Sequence, residues 1–384
     1  MREIAIIGIG QTAVSEHWDK SLRELAGEAI LAALFDAHRE TVDALFVSNM
    51  MGISLNHQAS LGAHIADWVG LRGIEAYRVE AACGSGASAL RAGMIAVASG
   101  ELDSVLVAGV EKMTDVPPST LVSELATAAD ADWEGAQGVS FVAINALIMQ
   151  RYMHVHGWQR RDFAPFSINA HANALHNPNA RLHMEVTHKS YEKSRIIAEP
   201  ISVLDAASNG DGAAAVLLVP ADTLHSNGRP KIVIAGSGAA TDTISVHDRK
   251  DPLWLNAGYL SAQRAYHQAG VLPADIDLFE LHDAFSIMAA LSLEAAGFAE
   301  YGQGPRLGLE GEITLTGRVP ITTRGGLKAR GHPVGATGIY QIVEVVEQLR
   351  GEAGGSQVEG ARLGMAQNIG GSGATIVTHI LRKT

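Results

Sequence analysis

Residues 4–10 read Ile-Ala-Ile-Ile-Gly-Ile-Gly, an unbroken apolar run too short for a helix and closed by glycines. Such a run predicts a buried strand. Residues 231–238, Lys-Ile-Val-Ile-Ala-Gly-Ser-Gly, repeat it more than two hundred positions later. Each run is followed, after a polar stretch, by a segment of helical periodicity, at 22–34 and 262–269. A second apolar strand comes next in both places, at 42–47 and 276–281. The parallel continues at the following strand-to-helix junction. Residues 77–82 lead into Cys83-Gly84-Ser85-Gly86 and a small-residue helix to Ser99. A Gly-rich approach leads into Gly331-His332-Pro333-Val334-Gly335 and a helix to about Leu349. Closing strands follow at 104–110 and 361–367. The pattern predicts two similar α/β halves packed face to face.

Between them, roughly 116–199 breaks the pattern with Pro117-Pro118, a tryptophan and many histidines. It reads as an inserted, mostly helical loop domain. Residues 201–219 then return to the first half, as a hairpin-like strand pair around Asn209-Gly210-Asp211-Gly212. The expected organisation is a first half of 1–115 plus 200–222, a loop domain of 116–199 and a second half of 223–384.

Composition narrows the function. Hydrophobic residues make up 47% of the 384 and charged ones 18%, with a net charge of −12. That balance argues against nucleic-acid binding and against attachment to an anionic membrane. The low-charge, small-residue helices suit a buried middle layer. A single cysteine, Cys83, excludes an internal disulfide and a cysteine-built zinc site. The opening apolar run is too short for a secretory signal, and no stretch of about 20 apolar residues is present. A soluble, cytoplasmic protein is expected.

Two motifs point elsewhere and are set aside. Gly8-Ile9-Gly10-Gln11-Thr12-Ala13 after a strand imitates a dinucleotide fingerprint, but no helix opens at once and no acidic residue closes the second strand at Val47-Ser48-Asn49. His154, His156, His171, His176, His183 and His188 suggest a metal, but lack the carboxylate or thiolate spacing of a site. No metal is expected.

Cys83 sits where a strand gives way to a helix. The dipole and free N–H groups of a helix start lower a thiol's pKa, and Gly84 and Gly86 permit a sharp turn and a close substrate approach. The plain alternative is a small buried hydrophobe. His332 occupies the equivalent place in the second half; packing about a pseudo-two-fold axis would bring the two together as nucleophile and base. A turn with a solvated imidazole is its alternative. His282 ends a strand, where α/β proteins place ligands, and a core or capping role is equally open to it.

Taken together, these segments resemble the thiolase superfamily over nearly the whole chain. The residues 81–90, Ala-Ala-Cys-Gly-Ser-Gly-Ala-Ser-Ala-Leu, are similar to the family's nucleophile motif. Residues 107–113 are similar to the strand after it, 209–215 to its Asn-Asp-Gly-Ala-Ala segment, and 325–338 to its long Gly-His-Pro signature. His282-Asp283-Ala284-Phe285, in place of Asn-Glu-Ala-Phe, resembles the sterol-carrier-protein-linked and archaeal acetoacetyl-CoA thiolases. The resemblance implies a five-layer αβαβα fold and a homodimer or homotetramer. Coenzyme A is the implied substrate or product, with no permanently bound cofactor.

By the same resemblance Cys83 takes the acyl group as a thioester and His332 accepts its proton. His332 and a water held by His282 stabilise the enolate of a second acyl-CoA. Backbone N–H groups of Cys83 and Gly370 form the other oxyanion hole, Phe285 lines the pantetheine tunnel, and Ser208 contacts pantetheine. One departure stands out: Asn368, expected among the substrate-binding residues, occupies the place of the second, acid/base cysteine, and Ala284 the place where sterol-linked enzymes carry one. The first expectation is therefore an acetyl-CoA acetyltransferase or 3-ketoacyl-CoA thiolase. The alternatives are an acyltransferase or aldolase subunit that works with a small zinc-ribbon and OB-fold partner, and a non-catalytic acyl-CoA-binding scaffold.

Overall fold

The computed structural model describes residues 2–223 and 229–384, so part of the linker at the expected junction of the halves, 224–228, lies outside the described residues. The first half runs β1 (Ile4–Gln11), α1 (Leu22–Asp36), β2 (Ala44–Ser48), α2 (Leu61–Trp68), β3 (Glu75–Val79), α3 (Ser85–Ser99) and β4 (Val105–Glu111). The inserted region holds α4 (Pro118–Ala126), α5 (Phe141–His156), α6 (Ala164–Ala174) and α7 (His188–Glu192), then a small ribbon of β5 (Ile196–Ala198) and β6 (Ile201–Ser202). The chain returns through β7 (Gly212–Pro220). The second half follows as β8 (Ile232–Thr241), α8 (Asn256–Ala269), β9 (Leu278–Glu280), α9 (Ser286–Ala295), α10 (Gly304–Leu309), α11 (Thr337–Arg350), β10 (Leu363–Gly370) and β11 (Thr375–Lys383).

Strand order is β3-β2-β4-β7-β1-β8-β11-β10-β9. Read outward from the β1/β8 seam, β1-β7-β4-β2 and β8-β11-β10-β9 are the same arrangement twice. Two residue pairs, Ala5 with Val233 and Ile6 with Ile232, join the two sheets. The counterpart of β3 shrinks to one bridge between Phe279 and Ile321.

The apolar clusters define the layers. Leu25, Ile30 and Ile65 of α1 and α2 pack on Leu45, Leu106 and Leu217 of the first sheet. Between the sheets, α3 and α11 supply Leu90, Val97, Ile339 and Ile342 to one core with Val107, Val216 and Ile234. On the far side α8, α9 and the inserted helices cover the second sheet through Ala265, Ile287, Tyr152 and Ile380. The order helix, sheet, helix, sheet, helix is the expected five-layer arrangement.

The glycines of the imitation fingerprint have a packing role. A Cβ on Gly8 or Gly10 would lie 2.2 Å from the carbonyl of Ala33 or Ala29 in α1. Gly236 and Gly238 stand in the same relation to α8, with the Ala265 and Ser261 carbonyls at 2.2 and 2.1 Å. Both repeats need these glycines because a helix backbone lies directly on the strand. Gly10→Val is expected to cost at least about 3 kcal/mol, read as a lowered urea midpoint; an unchanged midpoint would refute this account.

Two expectations need correction. Residues 201–219 form no hairpin: Ile201–Ser202 pairs with β5, while β7 runs alone between β1 and β4. Asp211 is drawn inward, where its carboxylate accepts from the Met113 and Thr114 N–H groups at 2.7 and 2.9 Å and pairs with Lys112. The middle layer is also not uniformly low in charge. Helix α11 is buried on every side and includes Glu344, paired with Arg330, as well as Tyr340 and Gln341, which bond to Thr12 and to the strand ends beside the cavity described next.

Candidate active site

Cys83 lies on an elbow between β3 and α3. Ala82, just before it, has φ 51°, a left-handed conformation that costs a non-glycine residue about 1 kcal/mol. Short hydrogen bonds hold it. The Ser85 hydroxyl donates to the Ala82 carbonyl at 2.5 Å and accepts from the Ala81 N–H at 2.9 Å, and the Gly84 N–H donates back to Ala81. The end of β10 packs against this turn, so that a Cβ on Gly370 would meet the Ala81 carbonyl at 2.4 Å.

The two central helices begin in contact. A Cβ on Gly86 would fall 2.8 Å from the Gly338 backbone, and one on Gly338 would fall 2.4 Å from the Ala87 nitrogen. Side chains at either position would force the helix starts apart. Their absence brings Cys83 and His332 to the wall of one cavity, together with His282.

The hydrogen bonds assign opposite tautomers to the two histidines. His332 Nδ1 lies 2.7 Å from the Thr337 hydroxyl, which itself donates to the Pro333 carbonyl. The Thr337 oxygen therefore accepts, His332 Nδ1 carries the proton, and Nε2 keeps a free lone pair. For His282 the logic reverses. The Asn368 carbonyl oxygen faces the Ala87 N–H, so its amide NH₂ points at His282 Nδ1, 3.1 Å away. His282 Nδ1 accepts, and its Nε2 carries the hydrogen. The rings stand nearly perpendicular, centroids 5.2 Å apart.

Burial dominates the electrostatics. It pushes the Cys83 thiol up to about 12, with Glu111 adding to the effect. Desolvation thus works against the acidification expected of a helix start, and a neighbouring base suits Cys83. Burial likewise pulls His282 down to about 3, with the Arg330 charge adding to it, and His332 well below the usual imidazole range, with His282 and then Arg330 acting in the same direction. Both imidazoles are neutral at pH 7.

The cavity has a volume of about 140 Å³, and its remaining walls are mostly apolar, among them Leu125, Phe141, Val142, Phe285 and Met288. Of the residues expected from sequence, Phe285 lines it. Asn368 stands behind His282 and Gly370 behind the Cys83 elbow. Ser208 is not in the wall: its carbonyl accepts the His332 N–H at 2.8 Å, and its hydroxyl is buried without a protein partner.

Several supporting residues escaped the sequence reading. Glu111, at the end of β4, accepts from the N–H groups of Met50, Met51 and Gly335 and from the Asn49 amide. It thereby fastens the loop that follows His332. Gln341 donates to the carbonyls of Glu280, Leu281 and Gln367, fixing the strands that carry His282 and Asn368. Thr337, five residues after His332 in the same signature, was the one within local reach.

The scattered histidines have other partners. His156 stacks on Tyr152 and Tyr301, and His171 and His183 bond to backbone carbonyls. Among the described residues no three His, Cys, Asp or Glu side chains form a metal-sized cluster. No helix among them is long and apolar enough to cross a membrane.

Residues 4–222 match the family model described as thiolase, N-terminal domain, and residues 238–383 match thiolase C-terminal domain-like. An acetyl-CoA acetyltransferase of Methanothermobacter thermautotrophicus is 46% identical over the full length of both chains. Sterol carrier protein 2 of Bos taurus is 32% identical over 98% of this chain and 71% of its own. Among solved structures, an Ltp2-ChsH2(DUF35) aldolase superposes with a TM-score of 0.87 at 24% identity, covering 99% of this chain and 98% of that one. An acetyl-CoA acetyltransferase of Syntrophomonas wolfei gives 0.74 at 16% identity, covering 100% and 99%. The repeated halves, the paired helix starts and these matches place the chain in the thiolase family.

Proposed function

We propose that the protein is a thiolase-type acyltransferase that forms or cleaves a C–C bond between acyl-CoA units through a thioester on Cys83. The observation that carries this is the meeting of Cys83, His332 and His282 in the wall of one cavity, each imidazole held at Nδ1; the opposed tautomers inferred from those bonds give one nitrogen to accept a proton and one to donate a hydrogen bond.

In the first half-reaction His332 Nε2 takes the Cys83 proton as sulfur attacks the acyl-CoA carbonyl. The oxyanion is received by the backbone N–H groups of Cys83 and Gly370. Collapse releases coenzyme A, whose thiolate recovers the proton from His332. In the second, the carbonyl oxygen of another acyl-CoA accepts from His282 Nε2–H, directly or through one water, while His332 removes a proton from the α-carbon. The enolate attacks the acyl-thioester, and departing Cys83 recovers that proton. One base thus serves both steps, and Asn368 has a different task from that of a second cysteine: it keeps His282 a donor. Phe285 and the apolar wall would hold the pantetheine arm. Residues 1–115 with 200–222 and 223–384 would be the two halves, with 116–199 covering the cavity. The open edge of β3, where Tyr77 is exposed, offers a second copy a strand to pair with.

The test is loss of acetoacetyl-CoA with free coenzyme A, alongside the intact mass of the protein. Turnover with a transient acyl-enzyme is expected. Acylation without turnover would indicate a subunit that waits for a partner protein, and no acylation would leave a binding scaffold. Asn368→Leu keeps the volume but frees the His282 tautomer; kcat should fall about a hundredfold, with Cys83 acylation retained. Equal loss of both would refute the assigned role.

A further inference from the structure

Arg330, two residues before His332, is the largest fully buried side chain among the described residues. Nothing in the reaction written above uses it. Its guanidinium is forked onto Glu344 of α11, with Nε and Nη2 at 2.9 and 3.4 Å from the two carboxylate oxygens, and lies over the Tyr340 ring at 4.8 Å. The third nitrogen, Nη1, donates at 2.8 Å to the carbonyl of Gly331, the residue joined to His332. The guanidinium therefore bridges a rigid middle-layer helix and the loop that carries the base.

We propose that Arg330 is a positioning residue for the reaction: fixed from α11, it holds the His332 loop and presents a permanent positive charge to both cavity imidazoles. A fully buried ion pair is weak evidence of stabilisation, since desolvation offsets much of its attraction; its placement suits control of neighbouring charge better. A cation behind His332 disfavours imidazolium. It keeps the resting base neutral and makes the transient imidazolium a willing proton donor to the departing thiolate. The histidines' depressed basicity agrees: Arg330 contributes to it after burial at His282, and after burial and His282 at His332.

Other ionisable groups surround this pair. Cys83 faces the histidines across the cavity. Glu280 and Asp283 flank His282, and Lys328 shares the Arg330 turn. Tyr340, Glu344 and Glu347 come from α11, Arg324 lies against Glu347, and Glu111 reaches Gly335. Arg330 is the cation whose charge lowers the basicity of both imidazoles.

The assignment rests on the proposed Cys83-to-His332 proton transfer, so the experiment reads alkylation of Cys83 by iodoacetamide against pH, not turnover. Alkylation should fall on the acid side as His332 becomes protonated. R330Q/E344Q removes the cation together with its counter-charge; because the guanidinium is the member of the pair bonded beside His332, its loss should outweigh that of Glu344 and move the half-point up by as much as about one pH unit, a reaction up to about tenfold slower at a given acid pH. R330K keeps the charge and should keep the half-point. E344Q strips the counter-charge and should move it down, which decides the matter if the double variant fails to fold. An unmoved half-point in folded R330Q/E344Q, an upward move in E344Q, or a shift in R330K equal to that of the neutral pair would overturn the assignment. A wild type with no acid limb would instead count against the proton transfer itself, and with it the assignment.

Discussion

Cys83→Ala should lower acetoacetyl-CoA thiolysis at least about ten-thousandfold, to the level of the uncatalysed reaction with coenzyme A. It should also abolish any acyl adduct in the intact mass. The size of the effect follows from the absence of a substitute. Cys83 is the only thiol in the chain, and the remaining cavity nucleophiles are two imidazoles whose lone pairs are committed or strongly weakened. The fold should be untouched, because the elbow is held by Ser85, Gly84 and the backbone of Ala81 and Ala82, not by the sulfur. Cys83→Ser is the sharper comparison. A hydroxyl is a far weaker acid than even this desolvated thiol, so a His332 placed to serve sulfur should activate it much less, and turnover should fall by more than about tenfold. Residual turnover within tenfold of wild type in either variant would remove Cys83 from the mechanism.

Glu111→Ala is expected to destabilise the protein by about 3–5 kcal/mol and to suppress activity together with stability. The carboxylate collects four donors inside a fully buried site, and its loss would leave them unpaired at about 1 kcal/mol or more each. Burial, countered by these donors, sets its pKa at about 7. Glu111→Gln is not a safe replacement, since its NH₂ would confront two N–H groups, and about 2 kcal/mol should still be lost. Chemical denaturation at pH 7 checks both. The Gly335 N–H is one of the four donors, so Cys83 acylation should slow in whatever fraction remains folded. A Glu111→Ala protein of wild-type midpoint would show that water or a local shift satisfies the donors.

What the sequence disclosed and what it withheld follow the range of the interactions. The repeated strands and their following helices were legible because burial imposes an apolar pattern within a few residues. Cys83 and His332 were legible because each sits in a glycine-bounded turn before a helix, and the repeat supplied a reason for them to meet. The opposed tautomers were not: they depend on Asn368 reaching His282 across 86 positions and on Ala87 orienting that amide from 281 positions away. Glu111 and Gly335 are 224 apart. The burial that raises the thiol's pKa was not legible, because a helix start is a local feature whereas the protein packed around the sulfur is not. Asp211 misled for a similar reason. In sequence Asn-Gly-Asp-Gly is turn chemistry, and only the fold shows that its carboxylate is claimed by Lys112, Met113 and Thr114.

The solitary sulfur at the cavity wall has a consequence outside catalysis. An oxidant that reaches Cys83 produces a sulfenic acid, and the chain offers no second thiol with which to condense it. No internal disulfide can form to arrest the damage at a reversible stage. Rescue must come from small thiols that enter the cavity, one to condense with the sulfenic acid to a mixed disulfide and water and a second to release the Cys83 thiol by exchange, and coenzyme A, brought to this sulfur in the proposed reaction, is such a thiol. The same geometry that dedicates the site to one nucleophile leaves its redox repair in the hands of its own substrate.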